Sequence, residues 1–359
     1  MALAGCDDPS AEPASPGTLA VLAAVADDVV RPAVERFEAR AAELSVADDA
    51  DLPEAFERAA DAWQELEVLQ IGPAGAAGSV VGGSDLRDEV NSWPRSNPCR
   101  VDQEVVEMGY ADPGFFAAEH VNVYGLDALD YLLFSPAQET ICPPQISMRA
   151  DGLWDELGAE EVRSRRYAYA KAVAGEIHRQ AQVLSAAWDP DDGDWGAALA
   201  LTEDAPTTYP DAATALDDVF AALFYLDLVA KDLKLGRPAG LVDCASDACP
   251  DAVESRWGKR SVDHLLANLR AGRTLIEVFR PLLEERGAAG VGESLLSALD
   301  GASGALRDLP TDLGAIVGSD PAPARDAYAA FKEFTDQLKG PFVTVLSLSI
   351  PDEGAGDND

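Results

Sequence analysis

The sequence predicts an all-α protein. No run sustains the alternation of apolar and polar residues, enriched in Val, Ile, Thr and aromatics, that marks a half-buried strand. Instead, apolar residues recur at helical spacing over several long stretches. These stretches follow one another through short-to-medium loops, the pattern of antiparallel helix bundles. At 359 residues the chain is long enough for two domains of ordinary size, and a hydrophobic content of 47% supports a globular body.

The elements follow in order. Thr18–Leu44 places Leu19, Leu22, Val25, Val29, Val30, Val34 and Phe37 at helical spacing, with a kink or restart expected at Pro32. Leu52–Leu69 is a second amphipathic helix with Pro53 in the tolerant first turn, and it sets Trp63 and Glu67 one turn apart. Residues 72–83 (GPAGAAGSVVGG) form a glycine-rich connection that lacks the Gly-Lys-Ser/Thr end of a phosphate loop. The stretch 91–100 is irregular, and a helix is expected from Asp102, with Asp102 as its N-cap. A short apolar helix spans Gly125–Phe134, and a long one runs from Asp155 to Trp188 with Arg163, Arg166 and Lys171 on its polar face. The aspartates of DPDDGDW at 189–195 lack the spacing of an EF-hand and read as a turn. In the second half, helices are expected over 211–235, 262–286, 292–305 and 322–348, before an acidic, Gly-rich tail at 351–359 that reads as disordered.

Charge excludes some partners. With 64 acidic and 27 basic residues the formal charge is −37, spread along the chain. Such a surface repels nucleic acid and anionic membrane and attracts cations without selectivity. No stretch reaches the roughly 20 apolar residues of a membrane span. Leu3-Ala4-Gly5-Cys6 has the pattern of a bacterial lipobox, which predicts lipidation of Cys6. The following Pro/Ser/Ala-rich stretch then tethers a folded body to a membrane. With Cys6 set aside, Cys99, Cys142, Cys244 and Cys249 remain, an even number that in an exported protein predicts disulfides. Of the three pairings, Cys99–Cys142 with Cys244–Cys249 is favoured because each pair lies within one half of the chain.

Among the chemistry-bearing residues, Asp127 and Asp130 lie three apart on the 125–134 helix, so both carboxylates point the same way. Leu126, Leu129, Leu132 and Leu133 give the same helix an apolar stripe that requires a core. Together with Glu67 the two aspartates supply three hard oxygen donors, suited to iron or another divalent or trivalent cation. The competing reading leaves Asp127 to stabilise the helix N-terminus and Asp130 to face solvent. His120, His178 and His264 fall in separate segments with no His-Glu-x-x-His pair, which excludes a zinc peptidase of that type. Of the three, His120 stands five residues ahead of Gly125, while His178 and His264 read as surface or structural. There is also no Gly-x-Ser-x-Gly elbow.

These residues carry a resemblance. Gly125-Leu-Asp127-Ala-Leu-Asp130-Tyr-Leu-Leu-Phe134 resembles the Gly-x-His-x-x-Glu helix of the imelysin family, with Asp in place of both His and Glu. Trp63 with Glu67, Ile71-Gly72-Pro73, Asn91-Ser-Trp93-Pro94, Glu254-Ser255, Ser261 and Leu266–Arg270 resemble further family segments, in order, over nearly the whole chain. The resemblance implies two helical-bundle domains packed side by side, residues 19–200 and 201–350, between an N-terminal tether (1–18) and the tail (351–359). It implies a cleft between them lined by the motif helix, with Trp63, Glu67, Trp93, Asp127 and Asp130 as the candidate ligand-binding residues and Glu67, Asp127 and Asp130 as the candidate metal ligands.

The function expected is that of an exported, periplasmic lipoprotein, a monomer anchored to a bacterial (outer) membrane, binding a metal or small ligand and associated with iron uptake or regulation. The family's peptidase label keeps a divergent peptidase as one alternative, although no catalytic residue is visible. A scaffold or partner-binding lipoprotein with a decayed site is the other.

Overall fold

The structure, a computed structural model, describes residues 14–205 and 207–350; the lipobox with Cys6 and the acidic tail lie outside the described residues. Among the described residues there are helices and loops and no strand. The first half contains α1 (Pro16–Ala24), α2 (Arg31–Val46), α3 (Leu52–Glu67), α4 (Leu86–Val90), α5 (Pro98–Glu107) and α6 (Phe115–Ala118). It continues with α7 (Leu126–Phe134), α8 (Ser147–Ala150), α9 (Leu153–Trp188) and α10 (Trp195–Ala200). The second half contains α11 (Ala212–Tyr225), α12 (Ser261–Val278), α13 (Arg280–Glu285), α14 (Ala289–Arg307), α15 (Leu313–Ser319), α16 (Ala322–Gln337) and α17 (Val343–Leu346).

Several boundaries follow from local chemistry. Pro32 follows directly on a π-helical turn at Val25–Val30, and the backbone stays helical through the junction, so the helix runs on past the proline into α2 and does not stop there. Pro281 opens α13 and divides the helix expected over 262–286. Asp211 caps α11 by accepting from the Thr214 N–H at 2.8 Å. Asp102 is not an N-cap: α5 begins earlier, with Asn97 accepting from the Arg100 N–H at 3.1 Å. Asp102 is buried instead, accepting from Arg166 at 3.0 Å and the Tyr131 hydroxyl at 2.6 Å. Arg166, expected on a polar face, is therefore an interior cation.

The helix expected over 211–235 changes character at Leu226, where an eleven-residue π-helical segment begins and runs to Gly236. Its wider turn alters which side chains face inward, and Asp227, Lys231, Asp232 and Lys234 are all buried. Lys231 pairs with Asp227 at 3.3 Å and Asp232 at 2.8 Å, and Lys339 reaches Asp227 at 2.9 Å.

In the first half α2 packs on α3 and α9, and α4, α5 and α7 lie against α9. In the second, α14 packs on α12 and α16, and the π segment lies on both α12 and α16. The halves meet where α3 packs on α12, and their buried apolar residues form one continuous cluster. Cys99 is bonded to Cys142 and Cys244 to Cys249. No described helix is long and apolar enough to cross a membrane.

Candidate functional site

The motif helix α7 starts from Gly125, whose φ of 96° favours glycine. A Cβ there would stand 2.8 Å from the Val90 carbonyl oxygen, so glycine lets the helix N-terminus meet the 90–96 loop. One turn on, Asp127 and Asp130 are only 7% and 3% exposed, which rules out the solvent-facing reading of Asp130.

Each carboxylate holds a loop. Asp127 accepts from the Ser92 hydroxyl at 2.9 Å and from the Ala128 N–H at 3.0 Å. Asp130 accepts three times from one short loop: from the Ser255 hydroxyl at 2.7 Å, the Trp257 N–H at 3.1 Å and the Gly258 N–H at 3.0 Å. A Cβ on Gly258 would lie 2.4 Å from the Asp130 carboxylate, so only glycine allows that approach. Burial raises both acids, Asp127 to about 7 against the Ser92 hydrogen bond and Asp130 to about 6 against that of Ser255.

Behind α7 lies a buried charge network. Glu67 accepts from Arg87 Nε at 3.0 Å and Nη2 at 2.9 Å, and from Lys234 Nζ at 3.1 Å. Lys234 also pairs with Glu254 at 3.0 Å, and His264 Nδ1 lies 3.0 Å from the other Glu254 oxygen. Burial pushes the Glu254 carboxyl up, but the Lys234 ammonium and His264 outweigh it and hold it well below the usual carboxylate range. His264 Nε2 is buried without a hydrogen-bond partner. A cavity of about 10 Å³, bordered by Asp127, Asp130, Glu254 and His264, is of the order of one water molecule.

The loops clamped by Asp127 and Asp130 carry Trp93 and Trp257. Both indoles line a concavity of about 540 Å³, with Pro94, Ile141, Arg237 and Arg256 among its other walls. Trp257 also packs edge-on against Tyr131 of α7, with ring centroids 4.6 Å apart, and Arg256 lies 5.5 Å over the Trp257 ring.

The structure divides the expected site residues. Trp93 lines the concavity, whereas Trp63 does not: it is 1% exposed and packs on Phe37 in the core, with centroids 5.0 Å apart. The expected metal trio is not assembled. Among the described residues no group of three or more His, Cys, Asp and Glu is placed to hold a metal ion. Glu67 is already met by two cations, Asp130 by three donors, and burial favours the protonated form of Asp127, so these residues do not fit a resident cation. His120 is exposed and takes no part.

Sequence reasoning left Arg87, Lys234, Ser255, Trp257 and His264 out of the site. Lys234 had a visible signal, since Lys231 and Lys234 stand three apart in an apolar stretch of a chain with six lysines. Such residues need buried acidic partners.

The family model for imelysin matches residues 18–339. The chain belongs to the imelysin family. An imelysin-like protein from Psychrobacter arcticum 273-4 has a similar structure, with a TM-score of 0.69 and 19% identity, over 96% of this chain and 98% of that one. So does a protein from Parabacteroides distasonis ATCC 8503 named an iron-regulated protein A precursor, with a TM-score of 0.68 and 14% identity, over 95% and 97% of the two chains. At these identities the imelysin fold is what the two structures share with this chain. A comparison with curated proteins found no match.

Proposed function

We propose that this imelysin-family chain is a non-enzymatic, exported binding protein that takes a small ligand in the concavity lined by Trp93 and Trp257. The observation that carries the reading is the use made of the motif helix. Both of its aspartates are spent on fixing the two loops that bear those indoles, Asp127 through Ser92 and Asp130 through Ser255, Trp257 and Gly258. Buried carboxylates committed to hydroxyl and backbone donors are positioning groups. They are poorly placed to activate water or to hold a cation.

Two disulfides support export, since such bonds persist in oxidising compartments. Lipidation at Cys6 and residence at a bacterial membrane complete the proposal. The name of the Parabacteroides protein supports an association with iron. In this reading iron enters as part of a bound ligand and not as an ion on Glu67, Asp127 and Asp130.

The test is a thermal-shift and tryptophan-fluorescence screen of small organic acids, amides and ferric chelates against the parent and Trp257→Ala. Compounds that stabilise the parent and lose at least tenfold in affinity in Trp257→Ala support the reading. Compounds bound equally by both proteins place binding elsewhere and refute it.

A further inference from the structure

We infer that the ligand of the Trp93/Trp257 concavity carries a carboxylate, which pairs with Arg237, and a flat apolar body, which lies on the indoles; this rests on the binding reading above. Arg237 lines the concavity and is half-buried, and among the described residues its side chain makes no hydrogen bond or ion pair. That is unexpected by composition. Acids outnumber bases by 64 to 27, so most arginines near the surface find a carboxylate, as Arg256 does in the same wall with Asp251 at 2.7 Å. The acids that line the wall do not supply a partner, Asp251 being the one paired with Arg256. Glu254 is turned to Lys234 and His264, and Asp243, although it also lines the concavity, makes no ion pair with Arg237.

The backbone of Arg237 is anchored from behind. The residue follows directly on the π-helical segment, and its backbone N–H donates to the Asp232 carbonyl at 2.7 Å. A guanidinium carried on that anchored backbone at the edge of a concavity presents a planar fork that matches a carboxylate in two hydrogen bonds. The rest of the wall suits the other half of such a molecule. Trp257, Pro94 and Ile141 offer flat and apolar surface beside the edge of the buried Trp93, and a volume of about 540 Å³ falls in the range of small-molecule sites. With Arg256 over the Trp257 ring and paired with Asp251, Arg237 is the cation of this wall whose donors are not taken by another side chain.

The discriminating probes are indole-3-acetate, phenylacetate and benzoate, each paired with its neutral amide, titrated by tryptophan fluorescence and by calorimetry at low and at 0.3 M salt. Parent protein is compared with Arg237→Gln, Arg237→Lys and Trp257→Ala. The expected result is that at least one carboxylate binds about tenfold tighter than its amide. Arg237→Gln removes that preference and leaves amide binding unchanged, Arg237→Lys restores part of it, and Trp257→Ala weakens acid and amide alike. Equal binding of acid and amide by the parent, with loss of both in Trp257→Ala, overturns the carboxylate inference and leaves the binding site standing. Failure of every probe to bind the parent, or binding indifferent to Trp257→Ala, overturns both.

Discussion

The Asp130 carboxylate accepts a hydrogen bond from the Ser255 hydroxyl at 2.7 Å, tying the motif helix to a loop 125 residues further along the chain. With the Trp257 and Gly258 N–H groups on the same carboxylate, this one side chain fixes a four-residue loop. Asp130→Ala leaves three donors without an acceptor, each at a cost of about 1–3 kcal/mol when buried. The expected net loss is about 3 kcal/mol by urea denaturation. Trypsin cleavage after the exposed Arg256 and Lys259 accelerates, because the loop opens locally before the protein unfolds. Asp130→Asn keeps one acceptor and loses less. Unchanged stability and unchanged cleavage in Asp130→Ala would remove the clamp.

Stability depends on pH through the same helix. Asp127 and Asp130 are raised to about 7 and about 6 from 3.8, so the folded chain holds protons that the unfolded chain has released. Their contribution is complete below about pH 4 and is lost as pH rises through 6 to 7. Glu254 acts the other way, since its low folded value withdraws stability in acid. Asp127→Asn fixes the neutral form while keeping an acceptor for Ser92. It is expected to flatten the decline and to gain on the order of 3 kcal/mol at pH 8. Denaturation curves from pH 5 to 9 check this, and parallel curves for parent and variant would contradict it.

Lys234 is the hub of the interior network, pairing with Glu67 and Glu254 while fully buried. Lys234→Met leaves Glu67 with Arg87 and Glu254 with His264 in place of two partners each, and breaking buried pairs in this way costs about 3–5 kcal/mol. Adding Glu254→Gln removes the charge left with His264 as its one remaining charged partner and should return part of the loss. A double variant no more stable than Lys234→Met would mean that Glu254 is neutralised by other means.

The two disulfides differ in what they close. Cys99–Cys142 spans 43 residues and Cys244–Cys249 spans 5. By loop-closure entropy the first stabilises by about 4 kcal/mol and the second by about 2 kcal/mol. Peptide mapping without reduction should recover both links, and Cys99→Ala/Cys142→Ala should lower the melting temperature more than Cys244→Ala/Cys249→Ala. Free thiols at all four positions would contradict both the pairing and the export proposal.

The helices were legible because their apolar residues repeat with a helical period, as the face Phe56, Ala59, Trp63 and Leu66 of α3 does. The change to π-helix at Leu226 was not, because the charged residues Asp227, Lys231 and Lys234 stand at the three-to-four-residue spacing of an ordinary helix, so nothing in the sequence marks the wider turn. The Asp127/Asp130 pair was legible as a shared helix face, but its partners Ser92 and Ser255 lie far away in sequence. Spacing within a helix says which side chains point together and not what they meet. Arg166 shows the same limit: it reads as a surface charge until Asp102, 64 residues earlier, is placed beside it. The resemblance places Trp63 in the site with Glu67, one turn away on the same side of α3, yet the indole packs on Phe37 in the core while the Glu67 carboxylate reaches Arg87 and Lys234.

The most direct test of the clamp account is a titration with ferric iron, manganese and calcium in 0.3 M salt, which screens the diffuse negative surface. Parent and Asp127→Asn/Asp130→Asn are compared by calorimetry, with folding of both checked by circular dichroism. The account predicts weak, equal heats in the two proteins, because the carboxylates are already occupied by loop donors. Stoichiometric micromolar binding by the parent that disappears in the folded double variant would contradict it.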